Sequence, residues 1–435
     1  MRVRFVVDPF TEQEKIMAEL TPMMQKYMET KEQYKDCILF YRLGDFYEMF
    51  FDDALVASKE LEITLTGKSC GLEERAPMCG IPYHAVEGYL SKLVSRGYKV
   101  AICEQVEDPK LAKGLVKREV IRVVTPGTNL NVQSLEAGKN NYLLSIAYTP
   151  DGIGISAADV TTGDYYVTEV EDLKKLNDEL MKYEPSEIIC NEAFLVSGFD
   201  VNDLKTRLHI SVNALESHMF DDDGCRRILM KHFKVNTLIG LGVEEFPTGL
   251  LAAGALLQYL YDTQKTDLEH FTHIYPYLTS KYMLLDSSTR RNLELTETLR
   301  EKQKRGSLLW VLDKTKTAMG ARLLRNYIEQ PLIEKDEMEK RLDAIQELNQ
   351  DSISRDEIRE YLNPIYDLER LLSKVTYKTA NPRDLIAFRN SLQMLPPIKT
   401  VLSAFEKEEL TEIREQIDGL EDIYQLIDEA IIEEP

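Results

Sequence analysis

Near Ala252 the pattern of hydrophobic residues changes from mixed to helical, and that change limits the folds that the chain can adopt. Before Ala252, short apolar runs bounded by turn residues alternate with stretches of helical periodicity. Beyond it, apolar residues recur at helical spacing almost to the last residue. Short alternating runs predict strands, whereas a recurrence every three or four residues predicts helices. Because a chain of 435 residues is expected to hold about two to four domains, we predict a multi-domain protein, α/β first and all-α afterwards.

The first 130 residues predict a small mixed α/β domain organised around an aromatic-rich turn. An apolar run at residues 37–41 predicts a strand, and Leu43-Gly44-Asp45 follows it. Asp45 has the chemistry of a helix N-cap, and Glu48 stands three residues later, where a capping-box partner belongs. We therefore predict a helix from Phe46 to about Leu61. The other predicted elements are a helix at 11–30, a strand at 61–66, a loop at 76–83, a helix at 85–96 and a strand at 99–104.

The local pattern leaves two interpretations of Phe46 and Glu48 open. In the first, this is an ordinary capped helix whose aromatic residues supply the core, because aromatic side chains are usually buried. In the second, the Phe46 ring is exposed and stacks on a nucleobase, while the Glu48 carboxylate bonds the edge of that base. Tyr47 then packs inward. The second interpretation requires that Phe46 reach solvent.

The middle of the chain predicts a second α/β domain that ends near residue 265. Strand-like runs at 142–148, 152–160 and 164–169 are separated by short turns, which predicts a meander. A helix at 173–181 and a buried strand at 187–190 follow. Asp159, Asp164 and Asp172 stand at turns and are predicted to be structural. Beyond this domain, helices are predicted at 289–305, 308–330, 335–350, 353–362, 368–375 and 382–394.

The net charge of −21 opposes binding to nucleic acid, because phosphate contacts need a positive surface. The charge is unevenly distributed, however. Residues 1–130 hold 18 lysines and arginines against 20 aspartates and glutamates, whereas residues 401–435 hold 2 against 12. Within residues 110–122 the sequence gathers five cations, which either contact phosphate or form a solvated edge. They are Lys110, Lys113, Lys117, Arg118 and Arg122.

Several classes of protein and site find no support in the sequence. The six cysteines are scattered without a Cys-x-x-Cys pair, which predicts free thiols in a reducing compartment. Apolar runs are shorter than the roughly 18 residues of a membrane span, and the first run meets Asp8 at once, so we predict a cytoplasmic protein. Gly67-Lys68-Ser69 is not a phosphate-binding loop, because Glu62 occupies the position that requires glycine. It predicts a turn at the end of a strand.

A family resemblance rests on several motifs in a fixed order. Gly44-Asp45-Phe46-Tyr47-Glu48, followed by Asp52-Asp53-Ala54, resembles the mismatch-reading motif of the MutS family of DNA mismatch-repair proteins. A second match is Pro77-Met78-Cys79-Gly80-Ile81-Pro82-Tyr83-His84-Ala85. Further matches lie at 101–105, 123–128, 285–295, 306–313, 317–324 and 367–372. Matches over nearly the whole chain are more specific than one pentapeptide.

The resemblance implies three domains. Residues 1–130 are expected to form the mismatch-recognition domain, with a mixed α/β fold. Residues 131–265 are expected to form the connector domain, with a ribonuclease-H-like α/β fold. Residues 266–435 are expected to form the first part of the helical lever domain. The chain thus resembles the N-terminal portion of a MutS protein.

The resemblance also implies a function and a site. The chain is expected to bind mismatched or looped duplex DNA by inserting Phe46 at the unstacked position, with Glu48 bonding the displaced base. Glu48 must be protonated if it meets a purine N7, and it stays ionised if it meets thymine N3–H; both remain open. The expected phosphate contacts are His84, Lys117, Arg118 and Arg122.

Other parts of the family's activity are expected outside these residues. The Gly-x-x-x-x-Gly-Lys-Ser/Thr loop of the family's ATPase does not occur in the 435 residues, so ATP and Mg²⁺ are not expected to bind this chain, which is not expected to be an enzyme alone. The implied partners are a second MutS subunit and a MutL-type repair protein, the latter through the connector domain. The alternative is an acidic helical scaffold that binds proteins and does not discriminate between DNA duplexes.

Overall fold

The computed structural model describes residues 19–107, 114–131 and 134–434. The first half of the predicted helix at 11–30 lies outside these ranges, as do Lys110 and Lys113. The chain divides into two units. The first comprises residues 1–129 and 262–265, and the second comprises residues 130–261 and 266–435.

A six-stranded mixed sheet forms the first unit, in the order β3-β4-β2-β1-β5-β6. β1 is antiparallel to β2 and parallel to β5, and β4 lies between β2 and β3. The strands are β1 Cys37–Leu43, β2 Phe46–Phe50, β3 Thr66–Lys68, β4 Ala76–Pro82, β5 Lys99–Gln105 and β6 Arg118–Val124. The helices are α1 Pro22–Gln33, α2 Phe51–Leu61 and α3 Val86–Val94.

Both faces of this sheet are buried against helices. On one face, Phe40, Tyr47 and Met49 pack with Ala54 of α2 and Leu93 of α3. On the other face, residues of β1 and β2 pack against α1. This second cluster includes Met24, Tyr27, Leu39, Tyr41 and Phe50. Since successive side chains of a strand point to opposite faces, Phe46 and Glu48 share the α1 face with Phe50.

The helix predicted from Phe46 is wrong, and so is the capping box of Asp45 and Glu48. Residues Phe46–Phe50 form the strand β2, and the helix begins only at Phe51. β2 pairs with the adjacent β1 on one side and with β4, which is distant in sequence, on the other, so strands on both sides satisfy its backbone amides and carbonyls. That pairing overrides a local capping signal, because tertiary context outweighs intrinsic propensity.

Two other predictions in this unit are wrong. Helix α2 continues to Leu61, and the strand expected at 61–66 is reduced to β3 Thr66–Lys68. Residues Ala76–Pro82, predicted as a loop because of their prolines, form β4 inside the sheet. The two prolines stand near the ends of β4, opposite Gly67 and Phe46, where the loss of an N–H donor disturbs the ladder least.

The second unit begins with another six-stranded sheet, in the order β11-β10-β7-β8-β9-β12. The predicted meander is confirmed as β7, β8 and β9, which are antiparallel. β10 and β11 then extend the sheet in parallel on the other side of β7, the arrangement expected of a ribonuclease-H-like domain. The strands are β7 Leu143–Thr149, β8 Gly152–Asp159, β9 Asp164–Val170, β10 Glu187–Asn191, β11 Ser211–Leu215 and β12 Tyr275–Pro276.

Five helices accompany this sheet and the long α8 provides much of its core. Leu250, Leu256 and Leu260 of α8 pack against Leu143 and Val167 of the sheet. The helices are α4 Leu173–Tyr183, α5 Glu192–Leu195, α6 Val201–Thr206, α7 Asp222–Phe233 and α8 Pro247–Gln264.

The acidic residues predicted to be structural make structural contacts. Asp159 accepts hydrogen bonds from the amides of Asn141 and Thr161, at 3.0 and 2.8 Å. Asp172 caps α4 by accepting from the amide of Lys175 at 2.8 Å. Burial, with the nearby charge of Asp159, raises the pKa of Asp164 to about 6.

The last third is helical, as predicted. Its helices are α9 Ser287–Asn292, α10 Leu308–Leu312, α11 Ala318–Glu329, α12 Lys335–Gln350, α13 Ser352–Leu362, α14 Leu368–Thr376, α15 Pro382–Leu392, α16 Leu395–Leu402, α17 Glu408–Gln416 and α18 Glu421–Ala430. A small core includes Ala344 of α12, Ile398 and Leu402 of α16, and Leu410 of α17.

Two predicted helices of this region are broken in the structure. The helix expected at 289–305 ends at Asn292, because Glu294 and Lys302 take φ of 47° and 51°, values that a right-handed helix cannot contain. The helix expected at 308–330 is two helices. Ser307 and Thr317 each cap one of them, by accepting from the amides of Trp310 and Gly320 at 3.2 and 3.0 Å.

All six cysteines are buried and unpaired, which confirms the prediction of free thiols. Burial raises the pKa of Cys190 and of Cys225 to about 12, so these thiols are poor nucleophiles. Among the described residues, no helix is both long enough and apolar enough to cross a membrane.

Candidate nucleic-acid interface

A two-residue turn, Gly44-Asp45, joins β1 to β2 and presents the candidate site. Leu43 pairs with Phe46 across the turn, and Gly44 takes φ +60°, the conformation that the first central residue of a type II′ hairpin requires. Two hydrogen bonds hold the turn. Arg42 Nε donates to the Gly44 carbonyl at 2.5 Å, and the Tyr83 amide donates to the Asp45 carbonyl at 3.0 Å.

Phe46 is the first residue of β2, and its side chain is 46% exposed. Tyr47 points to the opposite face, where it is buried and its hydroxyl donates to Glu104. Burial and the charge of Glu104 raise the pKa of Tyr47. The inward orientation predicted for Tyr47 is therefore confirmed. The ring of Phe46 reaches solvent, as the interpretation of this residue as a base-stacking group requires.

Glu48 lies two residues beyond Phe46 on the same face, opposite a glycine of the neighbouring strand β4. Its strand partner there is Gly80. A Cβ atom on Gly80 would stand 3.6 Å from Glu48 Cγ and 3.8 Å from Phe46 Cδ1. These are ordinary van der Waals distances, so a Cβ would touch both side chains and only a larger side chain would displace them.

Lys68, at the end of the edge strand β3, forms an ion pair with Glu48. Its Nζ atom lies 2.5 Å from Glu48 Oε2. The same ammonium lies 5.5 Å from the centre of the Phe50 ring. The pair is only partly buried, since the Lys68 and Glu48 side chains are 34% and 17% exposed. The sequence did not indicate this partner, because β3 and β2 are brought together only by their common pairing with β4.

Arg42 and Tyr83 form a second contact that sequence reasoning missed. The guanidinium of Arg42 lies 3.8 Å from the centre of the Tyr83 ring, and its Nη1 donates to Glu104 at 3.2 Å. Tyr83 remains 43% exposed. The only available signal was the position of Tyr83 inside the second motif matched to the family, residues 77–85.

Three of the predicted phosphate contacts belong to the same end of the sheet as Phe46. His84 is exposed and lies edge-on to Tyr83, with ring centres 5.8 Å apart. Lys117 is exposed and forms a 2.5 Å ion pair with Glu119. Arg118 begins β6, and its Nε donates to the Arg42 carbonyl at 2.7 Å, so part of its guanidinium is already used within the fold.

Arg122 stands apart from this group. It lies inside β6, opposite Ile102. Its guanidinium donates to the Thr128 carbonyl at 3.0 Å and to Gln264 Oε1 at 3.2 Å, both within the first unit. The structure therefore brings Phe46, Glu48, His84, Lys117 and Arg118 to one end of the sheet and gives Arg122 contacts that stabilise the end of β6.

The fold and this site together define a class of protein. It is a multi-domain protein in which a small α/β domain presents an exposed aromatic ring beside a carboxylate, followed by a second α/β domain and a helical region. Comparison with known sequences narrows the class. Residues 21–133 match MutS domain I, residues 141–272 match MutS domain II, and residues 288–435 match MutS domain III.

Curated relatives agree over most of the chain. A protein described as DNA mismatch repair protein MutS from Lachnoclostridium phytofermentans is 68% identical over 419 residues, which are 96% of this chain and 45% of that protein. Proteins of the same description from Ruminiclostridium cellulolyticum and Acetivibrio thermocellus are 53% and 50% identical, each over 96% of this chain and 48% of the relative. The chain belongs to the MutS family. It spans about half the length of the curated relatives it matches.

Proposed function

We propose that this chain binds mismatched or looped duplex DNA through the hairpin end of its first sheet. Phe46 acts as a wedge that enters from the minor groove at a weakly stacked position. Glu48 bonds the edge of the base that the wedge displaces. Detection depends on the free energy of unstacking, which is lower for a mispaired step than for a well-paired one.

The exposure of Phe46 beside Glu48 is the observation that carries this proposal. An exposed phenyl ring gains free energy when it leaves water for an apolar partner. The face of a base is such a partner. Stacking of a base on an aromatic side chain contributes about 1–3 kcal/mol. The turn beneath the ring is held by Arg42 and Tyr83, so the wedge enters the duplex without first becoming ordered.

Phosphate contacts are assigned to the cations at the same end of the sheet. Lys117 is exposed, and its pair with Glu119 is a surface ion pair that contributes little and exchanges readily for phosphate. His84, which follows β4, and Arg118, which begins β6, lie at the same end of the sheet. Arg122 was predicted as a fourth contact. Its hydrogen bonds to Thr128 and Gln264 instead favour a role in stabilising the end of β6.

Replacing Phe46 with alanine tests the wedge. We expect Phe46→Ala to lower the preference for mismatched over matched duplex about tenfold or more, because the stacking energy is lost. The measurement is a fluorescence anisotropy titration of the 435-residue chain with both duplexes. Leu55→Ala is the matched control, since Leu55 on α2 is also 46% exposed. Full discrimination by the Phe46 variant would refute the proposal.

The alternative, an acidic scaffold that binds only proteins, predicts a different salt response. Neutralisation of several phosphates makes the logarithm of the binding constant fall linearly with the logarithm of salt concentration. We expect that dependence for the mismatched duplex at two salt concentrations. A scaffold would show neither the salt dependence nor the mismatch preference.

The remaining family properties are also proposals for this chain. We propose that its partners in the cell are a second MutS subunit and a MutL-type protein that binds the second α/β domain. We further propose that ATP and Mg²⁺ act outside domains I to III, and that the protein works in the cytoplasm. Co-sedimentation of the chain with a MutL-type protein, with and without DNA, tests the second of these partners.

A further inference from the structure

Lys68 is the one charged side chain that contacts Glu48 among the described residues. It reaches Glu48 from the edge strand β3, where Lys68 pairs with Ala76. The 2.5 Å separation of Nζ and Oε2 is that of a charge-assisted hydrogen bond, which is shorter and stronger than a neutral one. Partial burial of both partners limits the screening that would weaken the pair at an exposed surface.

The ion pair leaves one carboxylate oxygen available. Oε2 accepts from Lys68, whereas Oε1 accepts no hydrogen bond from any residue that the structure describes. A carboxylate in this state only accepts hydrogen bonds. Its free oxygen therefore suits an N–H group on a base, such as thymine N3–H. A purine N7 is itself an acceptor, so bonding it would require Glu48 to gain a proton and to give up the pair.

We propose that Lys68 is a specificity-determining positioning residue, which keeps Glu48 as an acceptor and so favours displaced bases that offer an N–H donor. This inference rests on the proposed function of Phe46 and Glu48 and names the class of base that the site selects. Lys68 itself does not contact the base. It orients the Glu48 carboxylate through the 2.5 Å contact between Nζ and Oε2.

Base analogues that change one atom of the base edge test the proposal. The probes are duplexes with one extrahelical thymine or one extrahelical adenine, compared with the same duplexes carrying N3-methylthymine or 7-deazaadenine. N3-methylation removes the donor, and the 7-deaza change removes the N7 acceptor. For the unaltered chain we expect N3-methylation to weaken binding about tenfold, the equivalent of one lost hydrogen bond to a charged group, and the 7-deaza change to have less than about twofold effect.

Variants at Lys68 complete the test. Lys68→Met keeps the apolar stem and removes the charge, so the cost of N3-methylation should fall and a several-fold cost of the 7-deaza change should appear. Lys68→Arg should restore the original pattern, which a merely structural role for Lys68 would not predict. Circular dichroism spectra identify any variant that fails to fold, and the base analogues on the unaltered chain test the proposal without any variant.

The outcomes distinguish a wrong role for Lys68 from a wrong function for Phe46. If 7-deazaadenine weakens binding of the unaltered chain as much as N3-methylthymine does, Glu48 reads N7 despite Lys68, and this inference is overturned while the role of Phe46 stands. An unchanged analogue pattern in Lys68→Met also overturns it. Retained mismatch preference in Phe46→Ala instead overturns the proposed function itself.

Discussion

Asp53 is buried and hydrogen-bonded, whereas its neighbour Asp52 is exposed. Its carboxylate accepts from the Tyr27 hydroxyl at 3.2 Å, from Lys31 Nζ at 2.9 Å and from the Leu39 amide at 2.9 Å. These bonds join α1, β1 and the first turn of α2. Burial and the Asp53 charge also raise the pKa of Tyr27. Asp52, one residue earlier, is exposed.

We expect Asp53→Ala to lower the free energy of unfolding of the first unit by about 3 kcal/mol. The reason is that a partly buried ammonium, a hydroxyl and an amide lose their common partner. Hydrogen exchange of the β1 amides is the appropriate measurement, because the only tryptophan, Trp310, lies in the second unit. Asp52→Ala is the control and should change stability by less than about 0.5 kcal/mol. Equal effects of the two substitutions would contradict this account.

At the scale of elements, the pairing of β2 with β4 sets the position of the recognition side chains. Phe46 pairs with Pro82, and Glu48 pairs with Gly80. The proline ends the strand and the following turn carries Tyr83 under Arg42. β4 therefore does more than complete the sheet, since it places Gly80 beside the proposed wedge and anchors the turn that holds it.

We expect Gly80→Val to reduce mismatch preference about tenfold while the first unit still folds. Even a Cβ at this position would lie 3.3 Å from the Tyr47 carbonyl, and the valine methyl groups would displace Phe46 and Glu48. Such overpacking costs about 1–3 kcal/mol. Binding titrations and thermal unfolding are measured together. Gly88→Val is the control, because a Cβ there meets no atom within 4 Å; an equal loss in both variants would refute the argument.

At the scale of the whole second unit, buried charges link its sheet domain to its helices. Arg322 donates to both Asp367 oxygens at 2.7 and 2.8 Å and to the Ala137 carbonyl at 2.9 Å. Arg370 donates to the carbonyls of Glu136 and Lys139, at 3.2 and 2.8 Å. The segment before β7 is thus held by two arginines from α11 and α14. Such buried guanidinium groups favour one arrangement of the unit, because each lost partner leaves an unpaired charge.

Glu329 makes the stability of this unit depend on pH. Burial raises its pKa to about 7, against the opposing charge of Arg325, whose Nη1 lies 3.2 Å from Glu329 Oε1. The ordinary value is 4.5, so the folded state binds this proton more tightly than the unfolded state. The stabilisation is complete below about pH 4.5 and is lost as the pH rises through 7. Asp164, with a pKa of about 6, acts in the same direction.

We therefore expect Glu329→Gln to remove part of this pH dependence. Between pH 5 and pH 8 the unaltered unit should lose about 2 kcal/mol more than the variant. Urea unfolding followed by Trp310 fluorescence measures the difference at each pH. Glu334→Gln, at an exposed site, should leave the pH profile unchanged. A variant profile that parallels that of the unaltered chain would show that Glu329 is not the titrating group.

The linear order of residues settled the kinds of most elements, the division into α/β and helical parts, and the family. Hydrophobic periodicity is a local property, which is why the meander at β7 to β9 and helices such as α12 were predictable. The motif at Gly44 to Glu48 singled out Phe46 and Glu48 as candidates, and their role stays a prediction. Only the tertiary structure decided that Phe46 begins a strand and not a helix, that Gly80 lies beside it, and that Lys68 holds Glu48. Each of these depends on strands that are distant in sequence but paired in the sheet, and hydrogen bonds between such strands outweigh the local preference of any single turn.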